Sequence, residues 1–211
     1  MGKIDELVEA LGQDMQSVKP APHPFMLGIL LVLVAFLYLV LLLLFSGFRP
    51  DILEKLHSNW FLVEITLLIG LLVFTSISAS TLSFPDLYQM RWAAVTPVWI
   101  FGLLASFLLA AWTLDSPPAP LPKHSFQCTL DIGLLSLLPG VWIFYLLRKF
   151  ASTHFRLTGS IAVLYAFSTG AIWLRLYEKN DSILHVIEWH YLPMIGFGIA
   201  GLWLGKKLLR W

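Results

Sequence analysis

Charge is what this chain has least of. Of its 211 residues only 13% are Asp, Glu, Lys or Arg, against 58% apolar, and the mean hydropathy is +0.77. A soluble domain is about a quarter charged, so a soluble globular class is excluded. Cysteine is scarcer still: Cys128 stands alone, which rules out an intramolecular disulfide and leaves the redox compartment unreadable. A net charge of +1 gives no basic footprint, and no groove-reading or phosphate-cradling motif occurs, so no direct nucleic-acid partner is expected. No cofactor is implied, no catalytic residue stands out, and no internal repeat aligns.

What is present is a series of apolar runs. The first, residues 25–45, holds no charge over 21 positions, enough to cross a ~30 Å hydrocarbon core as a helix. A long acidic segment without a basic start precedes it, so it does not read as a cleavable signal peptide. Further spans are expected at 60–84, 92–114, 128–147, 157–176 and 184–205. The expected fold is all-α: six transmembrane helices in the lipid bilayer, with a short amphipathic helix before them. Residues 1–24 form a tail and 25–211 the membrane domain.

Orientation follows from the basic residues, because Lys and Arg in short loops resist translocation. With the N-terminus in the cytoplasm, Lys3, Lys19, Arg91, Arg148, Lys149, Arg156, Lys206, Lys207 and Arg210 lie inside. Arg49, Lys55, Lys123, Arg175 and Lys179 lie outside. Nine against five places both termini in the cytoplasm. The proline-rich loop 116–122 falls outside, as a stiff extended connector. Trp60, Trp92, Trp112, Trp189 and Trp211 fall near span ends, the usual aromatic belt.

The tail is the one sizeable piece able to meet a soluble partner. Ile4, Leu7, Val8, Leu11, Met15 and Val18 recur in steps of three and four, which gathers them on one helical stripe. Asp5, Glu6 and Glu9 fall opposite. A helix this short is marginal alone, so its stripe should fold against a partner. Pro20, Pro22 and Pro24 end it.

Ionisable groups at membrane depth are costly, so their placement is informative. Glu64 falls early in the second span, Cys128 and Asp131 at the start of the fourth, Arg175 at the end of the fifth, and His185, Glu188 and His190 at the start of the sixth. All seven gather toward the outer face. Two readings stay open: Arg175 neutralises one carboxylate while the others reach water at headgroup depth, or the seven form an outward-facing sensor pocket. A metal site is not expected. His185 and Glu188 share a helical face, but His190 stands roughly 200° round from Glu188, and one regular helix cannot present all three. Gly196, Gly198 and Gly201 lie inside an apolar span and read as helix packing rather than a nucleotide fingerprint.

Two ends of the chain carry a resemblance. Residues Ile4-Asp5-Glu6-Leu7-Val8-Glu9-Ala10-Leu11 at the start, and Trp189-His190-Tyr191 followed by glycines and the closing Gly205-Lys206-Lys207-Leu208-Leu209-Arg210-Trp211, resemble the bacterial anti-sigma factors named negative regulator of sigma F. The resemblance covers essentially the whole chain. It implies an inner-membrane protein whose cytoplasmic tail holds an extracytoplasmic-function sigma factor until a signal releases it, without catalysis. On it, Ile4, Asp5, Glu6, Leu7, Val8, Glu9, Leu11 and Met15 become the partner-binding residues. Many members carry a second cysteine after the fifth span. The stretch Leu176-Tyr177-Glu178-Lys179 has none, so a two-cysteine scheme cannot operate within one copy. The competing class is a small transporter or channel, which would need polar groups through the full membrane depth.

Overall fold

The computed structural model describes residues 2–13, 22–85, 90–114, 125–150 and 152–210, apart from the side chains of Leu11, Gln13, Arg91 and Ser125. Met15 and Val18 of the tail stripe, the 116–122 loop and the terminal Trp211 lie outside the described residues. The described elements are all helical: α1 Lys3–Gln13, α2 Pro24–Ser46, α3 Ile52–Lys55, α4 Asn59–Leu82, α5 Arg91–Leu114, α6 Ser125–Leu147, α7 Phe155–Tyr177, α8 Ile183–His185 and α9 Leu192–Leu208. A π-helical segment, Val186–Tyr191, joins α8 to α9. Six helices are long and apolar enough to span a membrane, the sixth running Ile183–Leu208 through the π segment. The expected spans are all met, with ends shifted by up to three residues.

Local chemistry sets the ends. Pro24 stands in the first turn of α2, where its missing N–H costs nothing, and the His23 side chain accepts from the Phe25 N–H at 3.3 Å. Gly47 ends α2 at φ 79°, a left-handed conformation that glycine alone adopts freely, and its N–H reaches the Leu43 carbonyl at 2.8 Å.

The helix α7 is the axis of the bundle: 83% of its apolar window is buried, against 28 to 50% for the other spans. It packs on α9, α6, α4 and α2. Small residues permit this. A Cβ on Gly201 would lie 2.7 Å from the Ser160 Cα, and one on Gly205 would meet the Phe155 carbonyl, so α7 and α9 touch backbone to backbone. The packing assigned to the three glycines therefore belongs chiefly to Gly201. Gly198 is in ordinary contact with Leu164, while nothing lies near a Cβ on Gly196.

Polar bonds then cross the apolar interior. Tyr165 donates to the Leu31 carbonyl and Tyr38 to that of Leu135, each at 2.8 Å. Ser160 donates to the Gly198 carbonyl at 2.8 Å. Thr75 and Ser76 in α4, and Ser83 at its C-cap, turn back onto carbonyls of that helix, each at 2.7 Å, and so bring no unpaired hydroxyl into the core.

Candidate functional site

The first five spans, α2, α4, α5, α6 and α7, have one end at the side of the bundle remote from Pro24, where the sixth also begins. Two polar clusters meet there. The first is an ion-pair lattice. Glu64 on α4 accepts from Arg175 Nη2 at 2.7 Å and from the Tyr191 hydroxyl at 2.6 Å. Arg175 Nη1 reaches Asp181 Oδ1 at 3.2 Å. Asp181 in turn takes two bonds from Arg49, at 2.9 and 2.7 Å, and pairs with Lys55 at 2.8 Å. Arg49 completes its fork on Asp51 at 2.8 and 2.9 Å. Both guanidinium groups also lie over the Phe61 ring, at 5.8 Å for Arg49 and 5.4 Å for Arg175.

Electrostatics here follow the pairing. Burial alone would raise the Asp181 carboxyl, but hydrogen bonds from Arg49 and Lys55 and the Arg175 charge hold it down at about 2. The Arg49 fork likewise holds Asp51 below its ordinary value. Arg49 itself is 1% exposed, the largest fully buried side chain described. Such a group is sustainable only with carboxylates on both edges of the guanidinium.

The second cluster holds Cys128, Glu178, His185 and His190. The Cys128 Sγ lies 3.4 Å from both Glu178 oxygens and 3.6 Å from His185 Nε2. Glu178 Oε1 is 3.3 Å from His185 Nε2, and Oε2 is 2.9 Å from His190 Nε2. The two imidazoles face each other through Nε2 at 3.2 Å. Both rings are fully buried, whereas Glu178 keeps 21% of its side chain exposed. Burial would raise the Glu178 carboxyl, but the hydrogen bond from His190 and the neighbouring histidines hold it below its usual range.

The three ionisable residues of this stretch do not converge together, but the pair that meets is His185 with His190, five residues apart, and not His185 with Glu188. Ideal spacing of 100° per residue separates the two histidines, but Val186–Tyr191 is π-helical, and its wider turn stacks positions five apart. Pro193 explains where the distortion sits. It has no N–H for the Trp189 carbonyl one turn back, and that carbonyl instead accepts from Thr129 Oγ1 at 2.6 Å.

Of the seven residues proposed as a sensor group, the structure thus joins Cys128, His185 and His190 in one cluster and Glu64 with Arg175 in the other. Glu188 is exposed and outside both. Asp131, one turn along α6 from Cys128, is half-buried and is not one of the four converging groups. Glu178, Asp181, Arg49 and Tyr191 were not found by the sequence reading. The stretch that lacks a second cysteine supplies a carboxylate beside the first. The available signal was the brevity of the connection from Tyr177 to Ile183, which forces its acidic residues against the ends of both flanking helices.

In the tail, Ile4, Leu7 and Val8 are 76, 60 and 63% exposed. Asp5 accepts from the Gly2 N–H at 3.0 Å, and Glu6 and Glu9 are exposed.

Residues 11–211 match the family described as negative regulator of sigma F. A curated relative, the Anti-sigma-F factor NrsF of Caulobacter vibrioides (strain NA1000 / CB15N), is 28% identical over 220 residues, covering 99% of this chain and all of the relative. No solved structure matches.

Proposed function

From the premise that the chain belongs to the negative regulator of sigma F family, we propose that it is a membrane-bound anti-sigma factor that sequesters an extracytoplasmic-function sigma factor through residues 1–24 and frees it on an envelope signal. The family is regulatory, and its members act on a sigma factor rather than on a substrate. The observation that carries the finer reading is α1, where an acidic helix holds Ile4, Leu7 and Val8 open to solvent. A stripe of this kind gains its stability from a groove on another protein. Asp5, Glu6 and Glu9 would steer it toward a basic rim. In this reading both termini are cytoplasmic, and the two polar clusters stand at the opposite, outer end of the bundle.

The test is co-purification of an extracytoplasmic-function sigma factor with the full chain. Burying one leucine is worth ~1.5–3 kcal/mol, so Leu7→Asp with Leu11→Asp should abolish capture, while Glu9→Gln should mainly change its salt dependence. Retention of the sigma factor by a chain without residues 1–19 that still inserts would refute the tail assignment.

A further inference from the structure

The second cluster has the form of a ligand set rather than of a hydrogen-bonded group. A tetrahedral ion with bonds of ~2.0–2.3 Å sets nitrogen and oxygen ligands about 3.3 Å apart, and sulfur about 3.6 Å from either. Here the separations are 3.4 Å for sulfur to carboxylate, 3.6 Å for sulfur to His185 and 3.2 Å between imidazole nitrogens. Those from Glu178 to His185 and His190 are 3.3 and 2.9 Å. The four donor atoms all lie within 4.8 Å of one another. Through Glu178 Oε1, four of the six edges of a tetrahedron are therefore already near their bonded length, while the 2.9 Å contact to His190 comes from the other oxygen, Oε2.

The histidines add an independent observation. The Nδ1 atoms of His185 and His190 are buried without a hydrogen-bond partner, so each ring directs its polar contacts through Nε2, toward a single point. Two Nε2 atoms at 3.2 Å can share only one proton between them, whereas one cation accepts both lone pairs. The π segment, an uncommon distortion that recurs at functional sites, is what brings these two nitrogens together.

From this geometry we infer that Cys128, Glu178, His185 and His190 form a four-coordinate site for a divalent ion of the zinc class. The donor set decides the class. One thiolate, two imidazoles and one carboxylate suit Zn²⁺ and its thiophilic neighbours, whereas Mg²⁺ and Ca²⁺ require oxygen. On binding, the Cys128 thiol gives its proton to solvent and the sulfur forms a bond to the metal; no electron is transferred. Thiolate and carboxylate together balance the ion's two charges, so the loaded site is neutral at the end of an apolar bundle. The ion enters past Glu178 and Cys128, the two partly exposed members of the quartet, with the Glu178 side chain 21% open to solvent. Once bound, it fastens α6 to the α7–α8 connection and to the π segment.

The full chain, purified in detergent without a histidine tag, is titrated with Co²⁺ as a spectroscopic stand-in for Zn²⁺. One equivalent should give the intense ligand-field bands of a tetrahedral ion together with thiolate-to-cobalt charge transfer, and Zn²⁺ should bleach both. Cys128→Ser should remove the charge-transfer band, and His190→Gln should weaken binding at least tenfold. Glu188→Gln, exposed and outside the quartet, should bind as the unaltered chain does. Zn²⁺ should also raise the thermal midpoint of the unaltered chain and not that of His190→Gln. Absence of the bands in the folded unaltered chain, or their persistence in Cys128→Ser, overturns the site. Neither readout involves a sigma factor, so failure here leaves the proposed repression untouched.

Discussion

At the scale of single residues, the buried carboxylate of Glu64 is the most exacting commitment in the chain. It is 5% exposed and answered by Arg175 and Tyr191. Glu64→Gln leaves the buried Arg175 with Asp181, at 3.2 Å, as its remaining counter-charge, so the loss should approach but not exceed the about 3–5 kcal/mol of a fully broken buried pair and lower the thermal midpoint sharply. Tyr191→Phe removes only the hydroxyl and should cost about 1–3 kcal/mol. Thermal unfolding in detergent ranks the two, and an equal or reversed order would contradict the pairing. Asp181 gives a pH signature. Its folded value of about 2 lies below the ordinary 3.8, so the stability it contributes is complete above about pH 4 and lost as pH falls toward 2. The midpoint of the native chain should therefore drop across that window, and that of Asp181→Asn should drop less. Glu64 and Arg175 were legible in the sequence because a charge inside an apolar run has no other explanation than a partner. Asp181 and Glu178 were not, because a carboxylate in a connecting loop looks solvated and unpartnered until the fold brings Arg49 and Arg175 to the one and two histidines to the other.

At the scale of elements, hydropathy alone located the six spans, since a helix in lipid must satisfy its own backbone and so must be long and apolar. It could not say which span is central. That depends on side-chain size along α7 and α9, where Gly159, Ser160, Gly201 and Gly205 let backbones meet. Gly201→Val would force the helices apart at a contact of 2.7 Å, and overpacking of this kind costs about 1–3 kcal/mol. Gly196→Val, with open space at the same atom, should be nearly neutral. Thermal midpoints of the pair provide the comparison; equal losses would mean that the glycines matter only through helix propensity. The π segment escaped the sequence reading for a related reason. The regular 100° step that places His190 away from His185 runs up to Pro193, and a proline in mid-span is a common place for that step to fail.

At the scale of the whole molecule, the nine-to-five division of basic residues predicts both ends on the cytoplasmic side. A reporter active only in the periplasm should be silent when fused after Trp211 and active when placed within 116–122; the reverse pattern would invert the chain and remove the tail from its partner. The ion-pair lattice also bears on how the molecule is made. Arg49 shares Asp181 across 132 residues, and Glu64 meets Arg175 across 111. At ~5–20 residues per second of synthesis, the second span waits several seconds or more for its counter-charge. Its carboxylate must meanwhile lie at the membrane surface or be shielded by the insertion machinery. Hairpins therefore cannot be sealed in the order they emerge. The first two spans cannot complete their pairing until the fifth arrives, so this end of the bundle closes last.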